Sequence, residues 1–475
     1  MEQRHIYVNG DWRRSAAQEV VQVTNPATEE IIGSAPAGCQ QDIENAVHAA
    51  NGALETWRTT SRGERVAALD RIRQGLEARA EEAAGLITAE MGAPLWLSRS
   101  AQVGGAIASL DRVARTMESL PEDEVIGSTL VLRDPVGVVG AITPWNFPLY
   151  QIVAKVAPAP ALAAGCSVVL KPSELTPFDA GLLADVIHEA QLPPGVFNLV
   201  FGTGSAVGAA IASHPMVDMV SFTGSTQTGR RVAALSAQSI KRLTLELGGK
   251  SANIVLPDAD LGLAMKTALR HGWLNSGQVC ASLSRLLVHR SQIKEAEALL
   301  CELAQEWQVG DPQNEGTMLG PLASAAQRTK VLGLIASGVE EGARVLIGGL
   351  GRPSHLDRGA YVLPTILGGV HNEMRVAREE VFGPVICLIE YGNEDEAVAI
   401  ANDSEYGLAG CVWSTDLAKA TVVARRLQTG QVSINGSAGS SDAPFGGVKQ
   451  SGLGREGGRY GIEEFMQLKS LNGAA

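Results

Sequence analysis

The sequence is poor in cysteine, in aromatic side chains and in basic charge, and each shortage closes off a class of function. Six cysteines are spread over 475 residues without a CxxC pair. That excludes a disulfide framework and a paired-thiol zinc site. The eight histidines are scattered and no HExxH occurs, so no metal motif is present. Acidic residues outnumber basic ones, 51 to 39, for a formal net charge of −12. Such a chain is a poor partner for nucleic acid or an anionic membrane. The most apolar stretch, 136–170, is interrupted by Pro144, Pro148, Lys155, Pro158 and Pro160. It reads as buried core rather than a membrane span. The opening "MEQRHIYVNGDWRR" has no apolar h-region, which predicts no secretory leader and a cytoplasmic protein. A GxSxG elbow is missing. "ELGGKS" fails as a phosphate-binding P-loop because Thr244 stands where a glycine is required.

What is present is small and apolar. Glycine counts 53 and hydrophobic residues make up 45%, a composition suited to close helix–sheet packing in α/β folds. The length predicts two or three domains. Helices are expected over 42–57 and 62–90, the second with an apolar face at Val66, Leu69, Ile72, Leu76, Ala80, Ala83 and Ile87. Residues 120–136 read as a protruding hairpin or arm. Then strand and helix alternate: "CSVVLKP", "FNLVFG", "VDMVSFTG" and "KRLTLELGG" are strands, with helices between them. Four strands joined by three helices predict a parallel, doubly wound sheet. A second alternation begins after residue 250 with a helix expected to run on into "LNSGQVC", and it predicts a second α/β domain.

Several motifs carry chemistry. "FGTGSAVG" and "FTGSTQTG" place glycines between a strand and a helix, where free N–H groups suit a pyrophosphate. The first has GxGxxxG spacing rather than GxGxxG, and alone reads as a tight turn. Lys171 and Glu174 close a strand of the parallel sheet, where a ribose can be held, or where a solvated ion pair can sit. Glu246 is an acid at a strand end beside two glycines. Cys280 stands in "LNSGQVCASLSR". A lone cysteine is more often inert core, yet Asn275, Ser276, Gly277 and Gln278 suit an exposed turn.

Taken together, "TPWNFP" (143–148), "KPSE" (171–174), "FTGST" (222–226), "ELGGK" (246–250), "GQVC" (277–280), "EEVFGPV" (379–385) and "PFGGVKQSGLGREGG" (444–458) resemble the aldehyde dehydrogenase superfamily, in order and over most of the chain. The resemblance implies Cys280 as nucleophile, Glu246 as general base, Asn146 as oxyanion-hole amide and Lys155 as a polar residue near the catalytic centre. It implies a cofactor cleft of Thr143, Trp145, Lys171, Ser173, Glu174, Gly204, Gly208, Phe222, Gly224, Ser225, Leu247, Glu380 and Phe382. A substrate tunnel of Phe147, Tyr150, Gln151, Ala154, Leu274, Val279 and Ala281 is implied too, with Phe147, Tyr150, Gln151 and Ala154 on one helical face. The implied architecture is two doubly wound parallel-sheet domains, a Rossmann-like NAD-binding one (1–119 and 137–247) and a catalytic one (248–440). A small β oligomerisation arm and tail (120–136 and 459–475) complete it, making a homo-oligomer, dimer or tetramer.

The expected reaction is oxidation of an aldehyde to its carboxylic acid through a cysteine thiohemiacetal and thioester, with hydrolysis by a Glu246-activated water. Glu174 repels a 2′-phosphate, which favours NAD, while Lys171 leaves room for NADP. No arginine is placed to hold a substrate carboxylate, so an uncharged medium or aromatic aldehyde is expected. Two other readings stay open: acyl transfer to coenzyme A, which the presence of Glu246 disfavours, and a catalytically silent binding protein on the same fold.

Overall fold

The short Val-, Ile- and Leu-rich runs become the strands of two large sheets. The computed structural model describes residues 5–121, 123–156 and 159–474, without the side chains of 155, 156 and 159. The chain opens with two hairpins, β1 (His5–Val8) with β2 (Asp11–Arg14), and β3 (Val20–Thr24) with β4 (Ile31–Pro36). After the first helices comes an arm of β5 (Asp123–Ile126) and β6 (Thr129–Pro135). Five parallel strands follow: β7 (Val138–Ile142), β8 (Ser167–Lys171), β9 (Phe197–Leu199), β10 (Met219–Thr223) and β11 (Arg242–Glu246).

The second sheet holds β12 (Ala252–Val255), β13 (Arg285–His289), β14 (Arg344–Ile347), β15 (Thr365–Gly368), β16 (Val385–Tyr391), β17 (Ala409–Trp413) and β18 (Gln431–Ile434). Two strands follow near the C-terminus, the two-residue β19 (Gly452–Leu453) and the seven-residue β20 (Met466–Asn472). The first sheet runs β19-β11-β10-β7-β8-β9-β1-β2, the second β14-β15-β16-β13-β12-β17-β18, and the arm β20-β6-β5. Strand β10 returns beside β7, so the order of the first sheet reverses between them. In open parallel sheets such a reversal opens a crevice at the carboxyl ends of the strands.

Strands β7, β8 and β10 are buried along their whole length, which is why their sequences run apolar without alternating. In the second sheet successive residues serve opposite faces. Leu287 and Cys387 enter one apolar cluster, with Val331 and Ile335 of the helix Ala325–Glu340. Leu286 and Ile386 enter another, with Trp273 and Trp413.

Two expected helices differ. The one predicted over 62–90 is two, Arg62–Ala78 and Ala80–Met91, because Arg79 leaves helical geometry at φ −113°. The bend lets Leu69, Ile72 and Leu76 share one core with Ala83 and Ile87. The helix expected to continue into the cysteine segment ends at Trp273. The tail forms a short helix, Gly458–Glu463, before β20 pairs with β6 from Met466↔Pro135 to Asn472↔Thr129. Among the described residues no helix is long and apolar enough to cross a membrane.

Candidate active site

Strand β11 ends at Glu246 and β12 begins at Ala252, so a five-residue link carries the chain from the carboxyl end of one sheet to the amino end of the other. A cleft of about 180 Å³ opens there. The first sheet contributes Trp145, Asn146, Gly224, Ser225 and Glu246, from the ends of β7, β10 and β11. The second contributes Cys280, before β13, and Glu380 and Phe382, before β16.

The cysteine is presented by a strained turn. Asn275, Ser276 and Gly277 all have positive φ, at 54°, 54° and 72°. Two of the three are not glycine, so this backbone persists only where its surroundings over-determine it. They do. Ser276 Oγ donates to Gly320 O at 2.8 Å and Asn275 Nδ2 to Asn146 O at 2.8 Å. Gln278 Nε2 donates to Asn275 O at 3.1 Å, while its Oε1 accepts from Ala323 N at 2.9 Å. Gly277 has no room for a side chain, since a Cβ there would lie 2.0 Å from Gly383 O.

Asn146 is tied to the same turn. Its Nδ2 donates to Gln278 O at 3.0 Å, and its own carbonyl accepts from Gln102 Nε2 at 3.3 Å. Glu246 is buried at the end of β11. The glycine-rich segment 444–458 closes over it, and a Cβ on Gly446 would approach Glu246 Oε1 to 2.7 Å. That close approach explains one glycine of "PFGG".

On the other wall, Glu380 Oε1 accepts from Gly249 N at 3.0 Å, and Gly248 lies beneath Oε2. Burial pushes the Glu380 carboxyl above the usual range, although the Gly249 N–H bond, Lys330 and Lys250 oppose the shift. Phe382, at φ +55°, turns its ring edge-to-face against Trp145, 5.4 Å between centroids. Gln327 Nε2 holds that loop through Phe382 O at 2.8 Å and Val381 O at 3.3 Å.

Further along the first sheet, Lys171 Nζ donates to Glu174 Oε2 at 3.1 Å and to Pro172 O at 2.7 Å. Burial lowers the Lys171 pKa, and Glu174 opposes this. Thr143 N donates to Lys171 O at 3.1 Å, and Ser173 Oγ accepts from Leu175 N at 3.2 Å. Ser225 caps the helix Thr226–Ser236 by accepting from Thr228 N. Phe222 packs under Gly224, and Leu247 packs against Gly229. Gly204 and Gly208 bound a short π-helical turn, and a Cβ at Gly204 would meet nothing within 4 Å. The glycine this turn requires is Gly202, at φ +139° and pressed against Ala37 O.

The model for the aldehyde dehydrogenase family matches residues 12–471. The chain belongs to that family. A relative named 3-succinoylsemialdehyde-pyridine dehydrogenase, from Pseudomonas sp, is 49% identical over 471 residues, 99% of this chain and 98% of its own. Among solved structures, aldehyde dehydrogenase C from Pseudomonas syringae, complexed with NAD+ and octanal, is 46% identical with a TM-score of 0.98, covering 99% of this chain and 97% of that one. The aldehyde dehydrogenase of Mycobacterium tuberculosis, complexed with NAD+, is 41% identical with a TM-score of 0.96, covering 99% and 98%.

In this aldehyde dehydrogenase the expected tunnel residues take several positions around the cleft. Gln151 borders the cleft. Val279 lines a small adjoining recess with Gly249 and Phe382. Leu274 packs on the core of the first sheet, and the Tyr150 ring lies against Gly105. Phe147, Ala154 and Ala281 are half-buried outside the cleft lining. The segment that carries Phe147, Tyr150, Gln151 and Ala154 is not one regular α-helix: an α-turn at Pro148–Gln151 passes into a π-helix at Ile152–Val156. The side chain of Lys155 lies outside the described residues. Sequence reasoning missed Gln327 and Lys330, which share one face of the helix Ala325–Glu340 and reach the cleft. It also missed Gln102. None of the three stands in a motif, and only the fold brings them there.

Proposed function

We propose that this enzyme oxidises an aldehyde to the carboxylic acid through a covalent intermediate on Cys280, with NAD as the preferred cofactor and NADP as a weaker substitute. The observation that carries the reading is one cleft bordered by Cys280, Asn146 and Glu246 together with Glu380 and Phe382.

The residues present fit a dinucleotide. Thr223 Oγ1, on the cleft wall, is buried with no hydrogen-bond partner among the described residues. The capped helix at Ser225 offers its first N–H groups to a pyrophosphate. Lys171 and Glu174 would hold the adenosine ribose, with Thr143, Ser173, Gly204, Gly208, Phe222 and Leu247 around it. Glu380 and Phe382 would hold the nicotinamide end, with Trp145 across the cleft. When bound, NAD supplies the hydride acceptor.

The remaining steps belong to the chain itself. Cys280 attacks the carbonyl carbon as thiolate. The oxygen gains charge where the Asn146 amide, already oriented by its bond to Gln278 O, and the Cys280 N–H can donate to it. After oxidation the acyl group remains on sulfur as a thioester. Glu246 takes a proton from the water that attacks this thioester, releasing the acid and restoring the thiol. Lys155 remains a proposed polar neighbour of this centre. Glu246 on the cleft favours water over coenzyme A as acyl acceptor, and product analysis with and without coenzyme A separates the two.

An uncharged medium-sized or aromatic aldehyde is the proposed substrate. In support, Trp145, Leu247 and Phe382 give the cleft apolar walls and no described arginine lines it. The first sheet with its helices forms the proposed cofactor-binding domain, and the second the catalytic one. We further infer a cytoplasmic homo-oligomer, dimer or tetramer. Cys39, Cys166, Cys301, Cys387 and Cys411 are free thiols, which suits a reducing compartment, and the arm exposes Val125, Ile126 and Leu468. The test is NADH formation over a panel of straight-chain, aromatic and carboxylate-bearing aldehydes. Activity on the uncharged members, lost in a folded Cys280→Ser variant, is expected; full activity in that variant would sink the proposal.

A further inference from the structure

A second cavity, about 230 Å³ and away from the cleft, lies where the arm meets the body of the molecule. Four arginines line it: Arg58 at the end of the helix Gln40–Arg58, Arg62 and Arg65 on the next helix, and Arg133 on β6. Two acids, Asp123 and Asp134, share the lining, so the lining carries an excess of positive charge. This is unusual in a chain of net charge −12.

The guanidinium groups are fixed from behind. Arg62 Nη1 donates to Leu120 O at 2.7 Å, and Arg65 donates to Thr60 O at 2.7 Å and Ala163 O at 2.9 Å. Among the described residues their acidic neighbours do not neutralise them closely. Arg58 stands 3.8 Å from Asp134, and Arg133 stands 3.7 Å from Glu124. Arg133 Nη1 is buried with no hydrogen-bond partner among the described residues. Burial and the charge of Arg62 both act to lower the Arg65 pKa, so two cations are held close together at some cost. The space is several times the share of one water in the liquid, ~30 Å³.

We propose that this cavity binds a small multivalent anion of the phosphate class, bridging the arm and the body. Arginine forks match phosphate oxygens in pairs, and groups already anchored on backbone carbonyls lose little freedom on binding. An anion held between Arg133 and the Arg58, Arg62 and Arg65 group would tie β6 to both helices. The site takes no part in the chemistry of the cleft.

The test is calorimetric titration of the full-length enzyme with inorganic pyrophosphate, with NAD+ saturating so that the cofactor cleft is filled. Ionic strength is held constant with chloride. One pyrophosphate per subunit is expected. Arg62→Gln and Arg133→Gln should each weaken binding at least tenfold, with kcat for aldehyde oxidation unchanged. Arg133→Lys should lose less than Arg133→Gln, and it reports if the glutamine variant does not fold. Heats no larger than those of matched chloride, or affinities unchanged in the variants, would overturn the site. Tighter binding of malonate than of pyrophosphate would overturn the phosphate assignment in favour of a dicarboxylate.

Discussion

Asn146 shows how a single side chain takes up a working position. Its Nδ2 is held by Gln278 O and its backbone carbonyl by Gln102 and Asn275, so the amide is oriented before any substrate arrives. Pre-orientation is what makes such a donor effective at a developing oxyanion. Removing it by Asn146→Ala is expected to lower kcat by about 10²–10³, with a much smaller change in KM; a drop confined to KM would place Asn146 in ground-state binding instead. Legibility differs residue by residue. Cys280, Glu246 and Asn146 stand in motifs of fixed spacing and could be singled out by eye. Gln102 could not, because nothing in "RSAQVG" signals a contact with Asn146, 44 positions on. Gln327 and Lys330 were hidden in the same way, on a helix whose inward face is decided by the fold.

Elements were legible wherever two faces differ. Alternating strands and helices marked the parallel sheets, but β7 was hidden inside a long apolar region because both its faces are buried. Around Cys280 the polar residues pointed to an exposed turn; a turn forms, but Asn275, Ser276, Gly277 and Gln278 are buried in it, and its three successive left-handed conformations depend on partners at Gly320 and Ala323. Another local arrangement sets a pH dependence. At the start of the helix Phe178–Glu189, Glu90 accepts from Phe178 N at 2.7 Å and from Asp179 N at 3.3 Å. Burial pushes Glu90 well up and Asp179 up to about 8. An acid with a raised folded pKa contributes stability that is complete below its unfolded value, about 4 for Asp, and is lost as pH climbs through the folded value. Asp179→Asn cannot ionise and escapes that loss. Its melting temperature should therefore gain on wild type between about pH 4 and pH 8. A difference that stays constant across this range would show that Asp179 does not titrate there.

At the scale of the whole molecule, the cleft exists because the chain crosses from the carboxyl end of one sheet to the amino end of the other within residues 247–251. Neither sheet alone carries Glu246 and Cys280 together. The C-terminal segment adds to this by returning β19 to the first sheet beside β11, bringing Gly446 over Glu246. The arm points away, with Leu468 71% exposed on β20. If the arm pairs subunits, Leu468→Asp should lower the mass measured by light scattering toward that of a smaller species, and an unchanged mass would remove this face from the assembly.

The division of labour between Cys280 and Glu246 is the central claim, and intact-protein mass spectrometry of Glu246→Gln mixed with aldehyde and NAD+ tests it most directly. The expected result is about one acyl group per subunit on Cys280, with one equivalent of NADH formed and turnover then stalled. Continued turnover at the wild-type rate, with no acyl adduct on Cys280, would contradict it.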